Sequence, residues 1–144
     1  MVITKLAQKD IYEALKLVLN VFMMFEAPDY IDEGINTFKS CISNQEFIGS
    51  LAIFGAFKNN QVVGVIATRN EGNHIALFFV DGKYHRQGIG KKLFEAVIEN
   101  STSHKITVNS SPYAIEAYHH LGFIDTNSEQ LSNGMRYTPM IYTK

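Results

Sequence analysis

The densest group of chemistry-bearing residues is the run Tyr84-His85-Arg86-Gln87-Gly88-Ile89-Gly90-Lys91-Lys92-Leu93. Gly88 and Gly90 let the backbone turn sharply and let a ligand approach it closely. A short apolar run, Ile75 to Val80, precedes them and reads as a strand, and Ile89, Leu93, Ala96 and Val97 after them share one face of a helix. A strand-turn-helix junction of this kind aims free backbone N–H groups and the positive end of a helix dipole at one point, an arrangement suited to a phosphate or pyrophosphate. Lys83, Arg86, Lys91 and Lys92 add positive charge, opposed only by Asp81. The formal net charge of the chain is -1, so the positive patch is local.

Two phosphate-binding signatures fail on this turn. The dinucleotide fingerprint G-x-G-x-x-G needs a third glycine where Leu93 stands, and the P-loop needs a first glycine where His85 stands and a Ser or Thr where Lys92 stands. The segment does resemble the acetyl-CoA pyrophosphate loop of the GNAT acetyltransferases, written [RQ]-x-x-G-x-[GA]. It departs from that pattern in having His85 at the [RQ] position, with Arg86 and Gln87 one and two places later. Downstream, Val108-Asn109-Ser110-Ser111-Pro112-Tyr113-Ala114 leads into Ile115-Glu116-Ala117-Tyr118-His119-His120-Leu121-Gly122-Phe123, which is similar to the second cofactor segment of the same family, a strand ending in Asn and a helix ending in Y-x-x-L-G-F. Local chemistry agrees with that layout: Ser111 is a candidate N-cap, Pro112 a good first helical residue, and Gly122 stands where a left-handed helix end is expected. The resemblance covers Leu51 to Phe123 well and the rest weakly, although Asn133-Gly134-Met135-Arg136-Tyr137-Thr138-Pro139-Met140 also echoes the tail of bacterial family members.

The resemblance implies an α/β (α+β) fold with a mixed, mostly antiparallel central sheet and helices on both faces, in one domain over residues 1–144. It further implies a bulge that splays the fourth strand from the fifth, with the cofactor arm in the gap. Acetyl-CoA would be the cosubstrate, with no metal, and the acetyl group would pass to a primary amine by direct attack. The cofactor would be held by Phe78, Phe79, Val80, His85, Arg86 and Gln87, and by Gly88, Ile89, Gly90, Lys91, Asn109 and Tyr118. A strand N–H at Phe79 or Val80 would polarise the thioester carbonyl. Tyr118 matches the acid tyrosine that protonates the departing CoA sulfur. It also belongs to the apolar stripe Ala114, Ala117, Tyr118 and Leu121, and a phenol can bury its ring while presenting its hydroxyl. A non-catalytic acetyl-CoA-binding or sensing module is the alternative reading.

An attacking amine must be neutral, whereas a free alkylamine has a pKa near ~10, so a base or a water path to one is required. Glu26, Asp29, Asp32 and Glu33 cluster at the break between the first two helices, where the resemblance places the acceptor pocket. Glu26, Asp29 and Glu33 are the candidate acceptor-binding residues, although Asp29, Asp32 and Glu33 are also what an ordinary helix N-terminus prefers. Among the histidines, His119 and His120 point about 100° apart on a helix, and Glu116 alone offers a matching face, too few ligands for zinc. His85 either donates to a phosphate or faces water, and His74 and His104 read as surface residues at strand starts. The single cysteine, Cys41, excludes an internal disulfide framework and reads as a packed thiol, since Ser40 and Ile42 offer it neither base nor cation.

In element order the chain reads as strand, two helices, three strands, helix, strand, helix, two strands. The first strand is Val2 to Leu6. Asp10 is a candidate cap for a helix with Ile11, Leu15, Val18, Phe22 and Phe25 on its apolar face, ended by Pro28. Asp29 could cap the second helix, which buries Ile31, Ile35, Phe38 and Ile42. Asn59-Asn60 tolerates positive φ and suggests a hairpin between Leu51 to Phe57 and Val62 to Ala67. Ile124 to Thr126 and Met135 to Tyr142 read as closing strands. A hydrophobic content of 46% fills a core, and a pI near 6.5 gives no reason to expect nucleic acid or an anionic membrane as partner. The N-terminus lacks a signal-peptide core and no apolar run reaches the ~20 residues of a membrane helix, which together suggest a cytoplasmic protein. The expected partner is a small-molecule or peptide amine, and exposed strand edges would suit a homodimer.

Overall fold

A computed structural model describes all residues 1–144. Eight strands form the sheet: β1 (Val2–Lys5), β2 (Ala52–Lys58), β3 (Gln61–Arg69), β4 (His74–Val80), β5 (Lys105–Ser110), β6 (Ile124–Asp125), β7 (Gln130–Ser132) and β8 (Met135–Thr143). Their order is β1-β2-β3-β4-β5-β8-β6, with β7 paired to β8 outside this path. Every pairing is antiparallel except β4 with β5. Five helices complete the chain: α1 (Ile11–Val21), α2 (Asp32–Ser43), α3 (Gln45–Gly49), α4 (Ile89–Asn100) and α5 (Ile115–Leu121).

Two apolar layers cover the sheet. Ile89, Leu93, Phe94 and Val97 of α4 pack with Ile66, Ile106 and Phe123 on one face. On the other, Ala14, Val18 and Phe22 pack with Phe38, Val65 and Leu77, bringing α1 and α2 together. Phe22 and Phe38 stack with ring centroids 3.8 Å apart. The helical periodicity of these positions is what turns each apolar stripe toward the sheet.

One irregularity decides the shape of the site. Thr68 pairs with Ile75 and Ala67 with Leu77, so Ala76 is an extra residue in β4. A bulge reverses side-chain parity, and Ile75 accordingly faces the α4 layer while Leu77 faces the α1 layer. Beyond the bulge β4 leaves β5. Only His74 with Thr107 and Ile75 with Val108 are paired, and Ala76 to Val80 have no β5 partner. The splay expected at the fourth strand is therefore present, with its cause at Ala76.

Several local expectations change. The first helix does not stop at Pro28: α1 widens into a π-turn over Phe22–Glu26 and then a 3-10 turn over Ala27–Asp29, which accommodates Pro28 near its start. Asp10 and Asp29 cap nothing, because α1 continues out of a 3-10 turn and α2 begins at Asp32 after extended Ile31. The helix expected from Pro112 begins at Ile115. Ser111 instead closes the preceding turn, its Oγ accepting from the Ala114 N–H at 3.3 Å. The short elements α3 and β7 were not foreseen. The Asn59-Asn60 hairpin is as expected, with φ of 52° and 63°, and Gly122 ends α5 with φ 105°.

Candidate functional site

The glycine turn joins the end of β4 to α4. Arg86 and Gly88 both have positive φ, 63° and 81°, and such alternation curls successive N–H groups toward one side. None of the backbone N–H groups from Arg86 through Lys91 has a partner in the protein; the first bond of the helix is Lys92 N–H to the Gly88 carbonyl at 3.1 Å. These free donors at a helix N-terminus are a ready anion site. His85 lines the adjoining cavity, but its Nε2 is committed: it donates to the Val80 carbonyl at 2.7 Å, and the ring packs against Phe25 at 4.9 Å. With Nε2 carrying that hydrogen, neutral His85 has no donor left for a phosphate. The ring braces the loop against β4. Gln87 turns away, donating from Nε2 to the Lys83 carbonyl at 3.4 Å.

Above the turn lies a cavity of about 650 Å³ between the free part of β4 and α5. Phe78, Phe79 and Val80 form its β4 wall, Arg86, Gly88, Ile89, Gly90 and Lys91 its floor, and Tyr118 its inner end. Asn109 belongs instead to a second cavity, of about 280 Å³, on the other side of the splay. It lies opposite Pro139 of β8 and its side-chain amide has no protein partner. A phosphate-bearing group with an amide-rich arm fits these features: unpaired N–H groups for the phosphates, and a strand-backbone gap with a free amide for the arm.

The two cavities share Glu26, Phe78, Phe79, Ala114 and Tyr118. Tyr118 is 7% exposed, its ring held edge-on by Phe78 and Phe123 at 5.9 and 5.3 Å. No fully buried side-chain polar atom lacks a partner, and the Tyr118 hydroxyl has no protein partner, so its oxygen opens to the cavity. Burial and the nearby Glu26 charge push its pKa above the ordinary phenol value, which keeps it a protonated donor.

Glu26 ends the π-turn and faces Ser111 at the tip of β5. Burial pushes its carboxyl up to about 7; hydrogen bonding to Ser111 works against this and the Asp29 charge adds to it. A carboxyl tuned near neutrality at a cavity junction is poised to exchange protons. The other acidic candidates are elsewhere. Asp29 and Glu33 are exposed and line neither cavity; the Asp29 carbonyl accepts from Arg136 Nη1 at 3.2 Å, and Glu33 lies in the first turn of α2.

The smaller cavity is walled by α2 and the β7–β8 hairpin. A Cβ on Gly34 would collide with the Gly134 carbonyl oxygen, so glycine at both positions lets the helix and hairpin touch backbone to backbone. Thr37 Oγ1 donates to the Asn133 carbonyl at 2.7 Å and Tyr30 Oη to the Arg136 carbonyl at 3.2 Å, tying the two elements together. Two expectations are corrected here. Cys41 is exposed, not packed, and lines this cavity, because α2 turns that face away from the sheet. His74 is half-buried, not a surface residue: its Nδ1 meets Thr107 Oγ1 at 2.8 Å, and burial beside Arg69 lowers its pKa to about 4. Tyr30, Arg69, His74 and Arg136 gained their place in the site only through long-range packing, and no local motif marks them. His119 pairs with Asp125 at 2.7 Å and His120 Nδ1 contacts the Glu116 carbonyl at 2.8 Å. No group of three or more His, Cys, Asp or Glu side chains is gathered as a metal site would gather them.

Comparison with known proteins agrees with this architecture. The family model described as an acetyltransferase (GNAT) domain matches residues 26–144. Among solved structures, a GCN5-related N-acetyltransferase from Rhodopseudomonas palustris superposes with a TM-score of 0.85 at 17% identity, over 99% of this chain and 95% of that one. An acetyltransferase of the GNAT family from Staphylococcus aureus Mu50 gives 0.76 at 21% identity, over 99% and 98%. The PaiA N-acetyltransferase from Thermoplasma acidophilum, in complex with coenzyme A, gives 0.73 at 16% identity, over 99% and 98%. At these identities the likeness shows the shared fold. No curated protein sequence matches the chain significantly. With the family match, the mixed sheet splayed at one parallel pair and the glycine turn at its mouth are those of an acyl-CoA-dependent acyltransferase. The chain belongs to the GNAT acetyltransferase family.

Proposed function

We propose that the protein moves the acetyl group of acetyl-CoA to a primary amine by direct attack, with Tyr118 as the acid for the leaving sulfur and Glu26 as the proton acceptor on the amine's side. The observation that carries this reading is the meeting of the two cavities at Glu26 and Tyr118. Acetyl-CoA, when bound, supplies the thioester. The free N–H groups from Arg86 to Lys91 would hold its pyrophosphate, the unpaired edge of β4 from Ala76 to Val80 its arm, and Asn109 would add an amide contact where the strands part.

The remaining steps belong to the protein. Of the two candidate donors, Phe79 has the same ladder parity as Asp81, whose N–H bonds the Val63 carbonyl, and so faces β3; the N–H of Val80, on the gap side, would donate to the carbonyl oxygen as negative charge develops there. Glu26, half in its charged form near neutrality, accepts a proton from the entering ammonium, directly or through one water. Tyr118, protonated throughout the working pH range, gives its hydroxyl proton to the departing thiolate. Phe78 and Tyr113 line the cofactor side, and Phe25 packs behind Tyr113 with ring centroids 5.3 Å apart.

The test is turnover by Tyr118→Phe, measured as CoA release with a primary amine present. Loss of one proton donor predicts a fall in kcat of roughly 10²–10⁴, with acetyl-CoA affinity retained because the ring still fills its place. Wild-type kcat in the variant would remove Tyr118 from the chemistry.

A further inference from the structure

The smaller cavity is unevenly charged. Glu26 at its inner end is its sole carboxylate, whereas two guanidinium groups, Arg69 and Arg136, lie toward its outer side. Arg136 is committed. Its Nε and Nη2 each donate to a Glu129 carboxylate oxygen at 3.2 Å, and its Nη1 donates to the Asp29 carbonyl. Arg69 makes no ion pair; the protein's other pair is His119 with Asp125. Nor does any protein acceptor bond the Arg69 side chain. Its neighbour across the ladder is His74, a neutral ring near pH 7 that is engaged with Thr107. Arg69 is exposed at the end of β3, so it stands at the mouth of this cavity as a solvated cation with no protein counter-charge, free to meet an anionic ligand group.

Position fixes the spacing. Arg69 pairs with His74 at the start of β4, while Tyr118 packs on Phe78 further along the same strand. From Arg69 to Ile66, the β3 partner of Phe78, is about 10 Å at ~3.3 Å per residue, the bulge at Ala76 absorbing the extra residue of β4. Between the two ends the walls are apolar, from Phe38, Phe47, Leu77 and Met135. A volume of about 280 Å³ falls just below the ~300–1,000 Å³ typical of ligand sites, so the occupant is small.

The geometry points to an acceptor that is a small ω-amino acid: a primary amine delivered to Glu26 and Tyr118, an apolar methylene spacer, and a carboxylate held by Arg69. This deepens the acetyl-transfer reading and rests on it. Glu26 and Arg69 then orient the molecule by opposite charges at its two ends, so that only the amine reaches the thioester.

The experiment compares 5-aminopentanoate with pentylamine as acceptors, in the wild type and in Arg69→Gln, following CoA release. Titration of the CoA-saturated protein with pentanoate, which has the carboxylate and no nucleophile, is its companion. The inference predicts that the wild type favours 5-aminopentanoate in kcat/KM by roughly tenfold or more, the scale of a hydrogen bond to a charged group. In Arg69→Gln that ratio falls toward one through a raised KM for 5-aminopentanoate, and pentanoate binding is lost; Arg69→Lys restores part of both. Equal use of the two amines by the wild type, or a preference that survives Arg69→Gln, overturns the inference and leaves acetyl transfer standing. Saturable acetyl-CoA binding with neither amine acetylated overturns the ω-amino acid assignment, whereas folded protein that binds no CoA species contradicts the acetyl-transfer reading itself.

Discussion

Glu26 and Tyr118 are ordinary residue types that the fold brings together where the two cavities meet. If Glu26 accepts the proton, kcat rises with pH through about 7 and levels off above it. Glu26→Gln flattens that limb and lowers kcat by roughly 10²–10⁴. Stability carries a separate signature. The folded value of Glu26 lies above the ordinary 4.5, so its contribution is full below 4.5 and is lost as pH rises through about 7. His74 runs the other way: its folded value of about 4 lies below the ordinary 6.5, so its contribution is present above 6.5 and is lost as pH falls through about 4. Between pH 4.5 and 6.5 the two oppose each other. Glu26→Gln therefore gains stability relative to the wild type at pH 8, by roughly 1–3 kcal/mol, and exposes an acid-labile slope from His74. Thermal unfolding at pH 5 and pH 8 reads both effects. Tyr118 was legible in the sequence because Y-x-x-L-G-F is local. The tuning of Glu26 was not, because it depends on a π-turn that redirects the residue off the stripe of α1 and on Ser111, brought to it from the tip of β5.

At the scale of elements, the proposed cofactor site rests on the splay of β4 from β5 and the turn before α4. A Cβ at Gly90 would find only the Phe78 ring, at 3.6 Å, which is ordinary contact. Gly90→Glu should therefore fold while placing a carboxylate among donors meant for an anion. Acetyl-CoA affinity is expected to fall at least tenfold, as read by calorimetry, with little change in unfolding temperature. Gly88→Ala also meets open space but at φ 81°, so it costs about 1 kcal/mol of backbone strain. On the acceptor side, Gly34→Ala drives α2 from the β7–β8 hairpin. The expected outcome is a loss of about 1–3 kcal/mol and a raised KM for the amine, with acetyl-CoA binding retained. The glycine turn and the strand before it could be read from sequence because glycine spacing and apolar runs are local signals. The acceptor wall could not: α3 and β7 are too short to show a period, and the Gly34–Gly134 contact joins segments a hundred residues apart, on the order of what only folding reveals.

Across the whole molecule, α4 on one face and α1 with α2 on the other clamp a sheet that is held open at one pair of strands. The family resemblance foresaw this arrangement, including the bulge, whereas periodicity alone gave only a mixed α/β order. No helix is long and apolar enough to cross a membrane. The account makes the opening a cofactor site and not a packing defect, so it stands or falls on what binds there. The most direct measurement is calorimetric titration of the folded protein with acetyl-CoA, beside CoA, NAD and ATP. The account predicts saturable binding of acetyl-CoA and CoA, weakened at least tenfold in Gly90→Glu, with NAD and ATP far weaker. Folded protein that binds neither CoA species, or that binds them equally well in Gly90→Glu, would contradict it.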